Sequence, residues 1–131
     1  MEIVRSIDIE NIVRLALTDY FDIYCRPLPA KFKVPCIEVQ RVGGSDKNTI
    51  DSFDIVLDAR AETEEAADEL LRNAIGVLKK ISDEQTTAIR MVTVNSSGSW
   101  GSDPVRPDLA MCSARLNIIA HQEKTIINNR R

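Results

Sequence analysis

DSFDIVLDARAETEEAADELLRNAIGVLKKI, residues 51–81, is the stretch of the chain that decides its predicted fold. Over residues 53–60 apolar side chains alternate with mostly polar ones, which predicts a β-strand with one packed face and one wet face. From Ala67 to Ile81 apolar residues recur at three- and four-residue steps, which predicts an amphipathic helix. Thr63 and its neighbouring glutamates supply a helix cap and favourable charge at the helix start. Gly76 is either the site of a close helix–sheet approach or a tolerated glycine.

The flanking patterns predict the remaining elements. A first helix is predicted over residues 7–24 with Asp8 as its cap, and strands are predicted over residues 33–42, 89–94 and 112–121. The predicted fold class is therefore α+β. It has an antiparallel or mixed sheet of about four strands with two helices packed on one face, in the order α-β-β-α-β-β.

Two polar, glycine-containing segments are predicted to be exposed loops. The first runs from Gly43 to Asn48, and the second from Ser96 to Arg106. Long exposed loops commonly carry function. The second loop contains Trp100, the only tryptophan, which is either an anchor for a partner or a lid over the domain's own core. Residues 121–131 are predicted to be a frayed polar tail.

Size and composition narrow the functional classes. The 131 residues predict a single domain, 1–131. A net charge of −3 gives no support to a dedicated nucleic-acid binder. The three cysteines, Cys25, Cys36 and Cys112, are odd in number and lack metal-ligand spacing, so we expect reduced thiols. No apolar run approaches the length of a membrane span and the N-terminus is too charged for a signal peptide, so no membrane association is expected.

The sequence holds no motif that would mark a catalytic centre. Gly43-Gly44 is not followed by the residues of a phosphate-binding loop, and no nucleophile elbow or metal-binding spacing is present. His121 is predicted to be a solvent-facing strand residue. Asp51, Asp54 and Asp58 are predicted to be solvated acids, which would line a cation site only if another element supplied ligands. We therefore expect a protein that is not an enzyme and that uses no cofactor or metal.

Several short segments are typical of one family of viral proteins. They are an N-terminal helix followed by a proline break, the strand end Arg41-Val42-Gly43-Gly44, the strand IVLDARA with its acidic-start helix, the pairs Asp103-Pro104 and Arg106-Pro107, and the closing strand MCSARLNIIAH. In this order, over roughly residues 7–121, they resemble the tail terminator (tail completion) proteins of long-tailed, lambda-like bacteriophages and related prophages. The chain departs from that pattern at residues 109–112, where family members often carry an aromatic residue.

The resemblance implies a structural virion protein rather than a catalyst. Such proteins form a homo-oligomeric ring, commonly a hexamer, at the head-proximal end of the tail tube. The ring ends tube polymerisation and offers a surface to the head completion or connector protein, while DNA passes through its lumen without sequence-specific binding. The implied location is the head–tail junction of the virion, with assembly in the host cytoplasm.

Exposure arguments place the subunit and partner contacts on the two predicted loops and on nearby strand arginines. The candidate residues are Arg41, Gly43, Gly44, Arg60, Trp100, Asp103, Arg106 and Arg115. For each arginine the alternative is an ordinary solvated strand face.

Two other functions stay open at this level. One is a different phage head–tail connector or minor tail subunit with a similar element order. The other is a small ligand-binding or enzymatic α+β domain, which a well-formed apolar pocket with perturbed titratable groups would favour.

Overall fold

The strand and helix predicted from residues 51–81 are both present. The computed structural model of the chain describes residues 1–47 and 50–130, and in it strand β4 (Ile50–Ala61) leads into helix α2 (Glu64–Glu84). The Thr63 side chain accepts a hydrogen bond from the backbone N–H of Ala66 at 3.2 Å, which confirms it as the helix cap. The other helix is α1, which begins after its predicted cap, Asp8.

The described residues form two sheets. The remaining elements are β1 (Glu2–Arg5), α1 (Ile9–Leu17), β2 (Ile23–Cys25), β3 (Cys36–Lys47), β5 (Ile89–Ser102), β6 (Ala110–His121) and β7 (Glu123–Ile126). Five strands form a mixed sheet in the order β2-β3-β4-β6-β5, in which only the β2–β3 pair is parallel. Strands β1 and β7 pair antiparallel as a separate two-stranded ribbon.

The predicted fold class is therefore wrong in strand number, sheet number and element order. A single sheet of about four strands in the order α-β-β-α-β-β does not describe a chain whose described residues contain seven strands in two sheets. The three unpredicted strands, β1, β2 and β7, are only three or four residues long. A segment that short carries too little alternation to identify a strand, and its hydrogen-bond partners are distant in sequence.

The core lies between the inward residues of the main sheet and the buried sides of both helices. Ile55, Leu57 and Leu116 are fully buried on the strands, and Val13 and Leu78 are fully buried on the helices. Gly76 is a tolerated glycine and not the site of a close helix–sheet approach. The residue is exposed, and a Cβ placed on it would meet no atom within 4 Å. Neither helix within the described residues is both long and apolar enough to span a membrane.

Several predicted boundaries are also corrected. Helix α1 ends at Leu17 rather than near residue 24. Residues 43–47 of the first predicted loop belong to β3, and residues 96–102 of the second belong to β5. The predicted frayed tail contains β7. Asn48, the end of the first predicted loop, and Arg131, the end of the predicted tail, lie outside the described residues.

Irregularities in β5 decide which of its side chains face the core. The register with β6 shifts between Ile89 and Met91 and at two later points along the strand. Each shift is typical of a β-bulge, which turns the following side chains over relative to strict alternation. Val92 and Val94 consequently pack against the core with Ile89, whereas Met91 is 54% exposed.

We expect opposite effects on stability from alanine at two glycines. Gly44 has a φ of +134°, a backbone region that disfavours side chains, and its Cβ would collide with the carbonyl oxygen of Ser52. Gly44→Ala should therefore lower the free energy of unfolding by about 1–3 kcal/mol. Gly76→Ala should raise it by about 1 kcal/mol, because alanine is the better helix former and the added methyl group has free space.

Urea unfolding of both variants beside the parent chain measures these changes. Equal destabilisation by the two substitutions would contradict the backbone geometry assigned to Gly44.

Candidate assembly interface

A buried ionic cluster joins three segments of the chain. The Arg60 Nε donates to Asp103 Oδ2 at 2.8 Å, and its Nη1 donates to Glu38 Oε1 at 3.1 Å. The side chains of these three residues are 8%, 0% and 10% exposed respectively. Burial alone lowers the pKa of Arg60, but the two carboxylates, Asp103 above all, outweigh it and raise that pKa, so the guanidinium stays charged.

An aromatic ring lies close to both this cluster and a second arginine. The Arg60 and Arg106 guanidinium carbons each lie 5.9 Å from the centroid of the half-buried Phe32 ring, within the range of cation–π contacts. Arg106 is about half exposed and also pairs with Asp108 at 3.0 Å. Phe32, in the segment that precedes β3, therefore helps to cover the charge of Arg60.

The same aspartate shapes the connection between β5 and β6. Asp103 Oδ1 accepts a hydrogen bond from the backbone N–H of Val105 at 2.9 Å, while its own N–H donates to the Leu109 carbonyl at 3.1 Å. Leu109 is buried, and its backbone N–H donates to the Arg106 carbonyl oxygen at 3.0 Å. Residues 103–109, hereafter the clamped loop, are thus held at both ends and bonded through Asp103 to Arg60.

The clamped loop lies beside an exposed aromatic and apolar surface. Trp100 is 47% exposed and Val105 is 78% exposed. An open cavity of about 380 Å³ includes Trp100 in its lining, together with Glu62 and Glu64 at the start of α2 and Asp108 of the loop. Trp100 does not act as a closed lid over the core, since nearly half of it faces solvent. Its exposure favours the partner-anchor interpretation.

The sheet face opposite the helices carries a polar network. Asp58 accepts hydrogen bonds from Gln40 Nε2 and from the Ser113 hydroxyl. Asn117 Nδ2 donates to Asp54 Oδ1 at 3.1 Å and to the Ser52 hydroxyl at 2.7 Å. The aspartates predicted to be solvated acids therefore pair with neighbouring strands. Arg115 lies exposed on the same face, opposite Val56 of β4.

A third group of predicted residues lies on β3 at a bulge. The register with β4 shifts between Arg41 and Gly43. The Arg41 guanidinium lies 4.8 Å from the Phe53 ring centroid, and its backbone N–H donates to Glu10 of α1 at 3.3 Å. Gly44 holds the positive φ described above, so its requirement for glycine is explained by the hairpin itself.

The eight predicted residues thus fall into separate places. Arg60, Asp103 and Arg106 come together at the clamped loop with Trp100 nearby. Arg41, Gly43 and Gly44 lie together at the β3 bulge, and Arg115 stands apart. Arg60 and Asp103 were predicted as exposed contacts, and that prediction is wrong because both are buried.

Sequence reasoning missed Glu38 of the cluster and the neighbouring Phe32, and its prediction of Asp51 as a solvated acid is wrong. Glu38 and Phe32 were not singled out, although Glu38 stands at a polar position of a predicted strand next to the strand that bears Arg60. Asp51 is 1% exposed. Its Oδ1 accepts from Gln122 at 2.9 Å, and its Oδ2 has no partner among the described residues. Only the tertiary contact identifies these three residues.

The three cysteines are unpaired thiols, and the pKa of each is raised. Burial raises the pKa of Cys36 to about 11, and burial also raises the pKa of Cys25 and Cys112. Cys36 lies opposite Arg60 in the β3–β4 register, next to the buried cluster. Within residues 1–47 and 50–130, no group of three or more His, Cys, Asp or Glu side chains is arranged to hold a metal ion.

Comparison with known proteins adds no family assignment. No family model matches the chain, and no curated protein matches it.

Removing the buried guanidinium should destabilise the fold strongly. Arg60→Met keeps much of the side-chain volume but leaves Asp103 and Glu38 buried without a counter-charge. We expect the free energy of unfolding to fall by about 3–5 kcal/mol. The matched control is Arg115→Met on the neighbouring strand, which should change it by about 0.5 kcal/mol or less because Arg115 is exposed. Urea titrations compare the two, and equal effects would contradict the structural role of Arg60.

Stability should also fall at alkaline pH through Cys36. The folded pKa of about 11 lies above the 9.0 of an unperturbed thiol, so the folded state favours the neutral form. The contribution of this pKa difference to the free energy of unfolding is fully present below pH 9. It falls by about 1–3 kcal/mol as the pH rises from 9 towards 11. Cys36→Ala should flatten the unfolding free energy between pH 9 and 11 relative to the parent chain. An unchanged slope in thermal or urea unfolding would contradict this assignment.

Proposed function

We propose that the chain is a ring-forming structural subunit that ends the growth of a phage tail tube and provides the surface for head–tail joining. The resemblance in sequence pattern to tail terminator proteins supports this proposal. The proposed partners are further copies of the chain in a ring of about six subunits, the tail-tube protein, and the head completion or connector protein. The proposed location is the head–tail junction of the virion, after assembly in the host cytoplasm.

The observation that carries the proposal is a rigidly supported contact surface. Trp100 and Val105 are exposed beside a loop that the buried Arg60–Asp103 pair holds in place. Exposed tryptophan is enriched at the energetic centres of protein interfaces. A surface already ordered before binding loses less conformational freedom when a partner docks. This combination suits an assembly protein that must present the same surface repeatedly around a ring.

Charge supports the proposed passage of DNA. A net charge of −3 disfavours tight binding to the phosphate backbone, since such binding depends on lysines and arginines that neutralise phosphates. On the polar face of the sheet, Asp54 and Asp58 add negative charge that is fixed by hydrogen bonds. A lumen through which DNA moves should attract it weakly, and these features agree with that requirement.

Loss of the tryptophan side chain should weaken tube capping. Polymerising tail-tube protein of the same phage, mixed with the chain, should give tubes of limited length in electron micrographs. Trp100→Ala should weaken binding to the tube tip by about tenfold or more, because an exposed tryptophan anchor is lost. Its far-UV circular dichroism should match that of the parent chain, since Trp100 is half exposed and outside the core.

Glu69→Ala, on an exposed position of α2, is the matched control and should cap tubes normally. Uncapped growth in the presence of the parent chain would contradict the terminator function. If the parent chain instead bound the head connector alone, it would be a head–tail connector subunit.

A further inference from the structure

An apolar groove lies on the solvent side of the two helices. Its floor is formed by Tyr20 and Phe21, just after α1, and by Gly76 and Val77 of α2. Tyr20 is 67% exposed, and the groove has a volume of about 510 Å³. A second depression of about 350 Å³ continues it past Lys80 to Ile81 and Glu84. The helix pair thus presents an apolar channel, hereafter the helix groove, which is also lined by Arg72, Asn73 and Lys80 and has Glu84 at its far end.

The chain also carries an exposed apolar projection. In the ribbon of β1 and β7, Glu2 lies opposite Ile126 and Val4 lies opposite Lys124. These four residues share one face of the ribbon, since alternate residues of a strand point the same way. All four are exposed, Val4 by 50% and Ile126 by 71%, whereas Ile3 and Thr125 on the other face are half-buried. This exposed side is hereafter the ribbon face.

Packing against a partner would stabilise the two-stranded ribbon. A two-stranded ribbon is marginal in water unless a further surface packs on it. Within the described residues, each of its strands makes its principal contacts with the other strand and only marginal ones with the rest of the fold. The ion pair of Arg5 with Glu123 at 2.9 Å is 57% and 43% exposed, and exposed pairs contribute little.

The ribbon face and the helix groove match in their apolar character and in one pair of opposite charges. The ribbon face carries Val4 and Ile126 beside the acidic Glu2. The helix groove is lined by Tyr20, Phe21 and Val77 together with the basic residues Arg72 and Lys80. Neither Glu2 nor Lys80 forms an ion pair within the described residues, so both charges are free to pair across an interface.

We propose that the ribbon face of one copy of this chain docks in the helix groove of the next copy. Both surfaces are exposed in the same molecule, so they do not cover each other within one subunit. A contact between two different surfaces of identical chains is heterologous, and it produces a closed ring when the rotation closes. The inference rests on the proposed ring and names the contact that builds it.

Mixing two complementary variants tests this contact directly. Val4→Thr/Ile126→Thr removes the apolar ribbon face but keeps strand-favouring residues. Gly76→Gln fills the helix groove, and the position has free space for a side chain in the monomer. In sedimentation velocity the parent chain should form rings, and each variant alone should sediment as a 14.7 kDa monomer.

An equimolar mixture of the two variants should form a one-to-one dimer. The first variant retains an intact groove and the second retains an intact ribbon face, so a single contact can form. Val42→Thr, which changes a valine of similar exposure (42%, against 50% for Val4) away from both surfaces, should form rings like the parent chain. Rings from either variant alone, or a mixture that stays monomeric, would overturn the proposal.

Charge reversal provides a second test. Glu2→Lys and Lys80→Glu should each weaken ring assembly, and the double variant Glu2→Lys/Lys80→Glu should restore it, because the charge pair is re-formed with exchanged signs. Weakening without restoration would overturn the proposed placement of the two residues.

The outcomes separate this inference from the proposed function. Rings that survive the ribbon and groove variants and still cap tubes would overturn the contact and leave the terminator function standing. A parent chain that assembles through the ribbon face but leaves tube growth unchanged would support the contact and contradict that function. A parent chain that stays monomeric at about 1 mM, where even weak association is populated, would overturn the contact.

Discussion

The buried guanidinium of Arg60 is the constraint on which the surface of this domain depends. It joins β3 through Glu38 and the clamped loop through Asp103, with distances of 3.1 and 2.8 Å. Because the charges are almost fully removed from water, separating any partner leaves another charge buried without compensation. The loop therefore cannot move away from the sheet without a large cost in free energy. Phe32 lies against this arrangement, with its ring centroid 5.9 Å from the Arg60 guanidinium carbon.

The two faces of the main sheet have different functions in the fold. One face packs against α1 and α2 and contains the apolar core. The other face is joined by side-chain hydrogen bonds that run between strands, such as those of Asp58 and Asn117. Satisfied polar groups can line an open surface without weakening the sheet. Exposed apolar surface that is available to partners includes the Trp100 region, the ribbon face and the helix groove.

These three places fit the proposed ring in different ways. The Trp100 surface is held by the buried ion pair, which suits a contact with a separate component such as the tube or the head connector. The ribbon face and the helix groove are a projection and a channel on one chain, which suits contact between neighbouring copies. A subunit with distinct surfaces for self-association and for its partners can form a ring while leaving the docking surface accessible.

Residues 53–60 and 67–81 were read correctly as a strand and a helix because their periodicity is long and local. The caps Asp8 and Thr63 were identified for the same reason, since each bonds to a residue three positions along the chain. Residues 96–102 were predicted as loop, because serine and glycine favour loops. They form strand through backbone hydrogen bonds to β6, which are independent of side-chain type.

Local sequence patterns therefore specify the central strand, the long helix, the two helix caps and the alternation of β4 and β6. The sheet order, the ribbon between the two ends of the described chain and the burial of Arg60 depend instead on contacts between distant segments. The pairing of Arg60 with Asp103 spans 43 positions in sequence, and that of β1 with β7 spans nearly the whole chain. Local patterns specify what each segment can form, whereas such pairings depend on which distant segments meet when the chain folds.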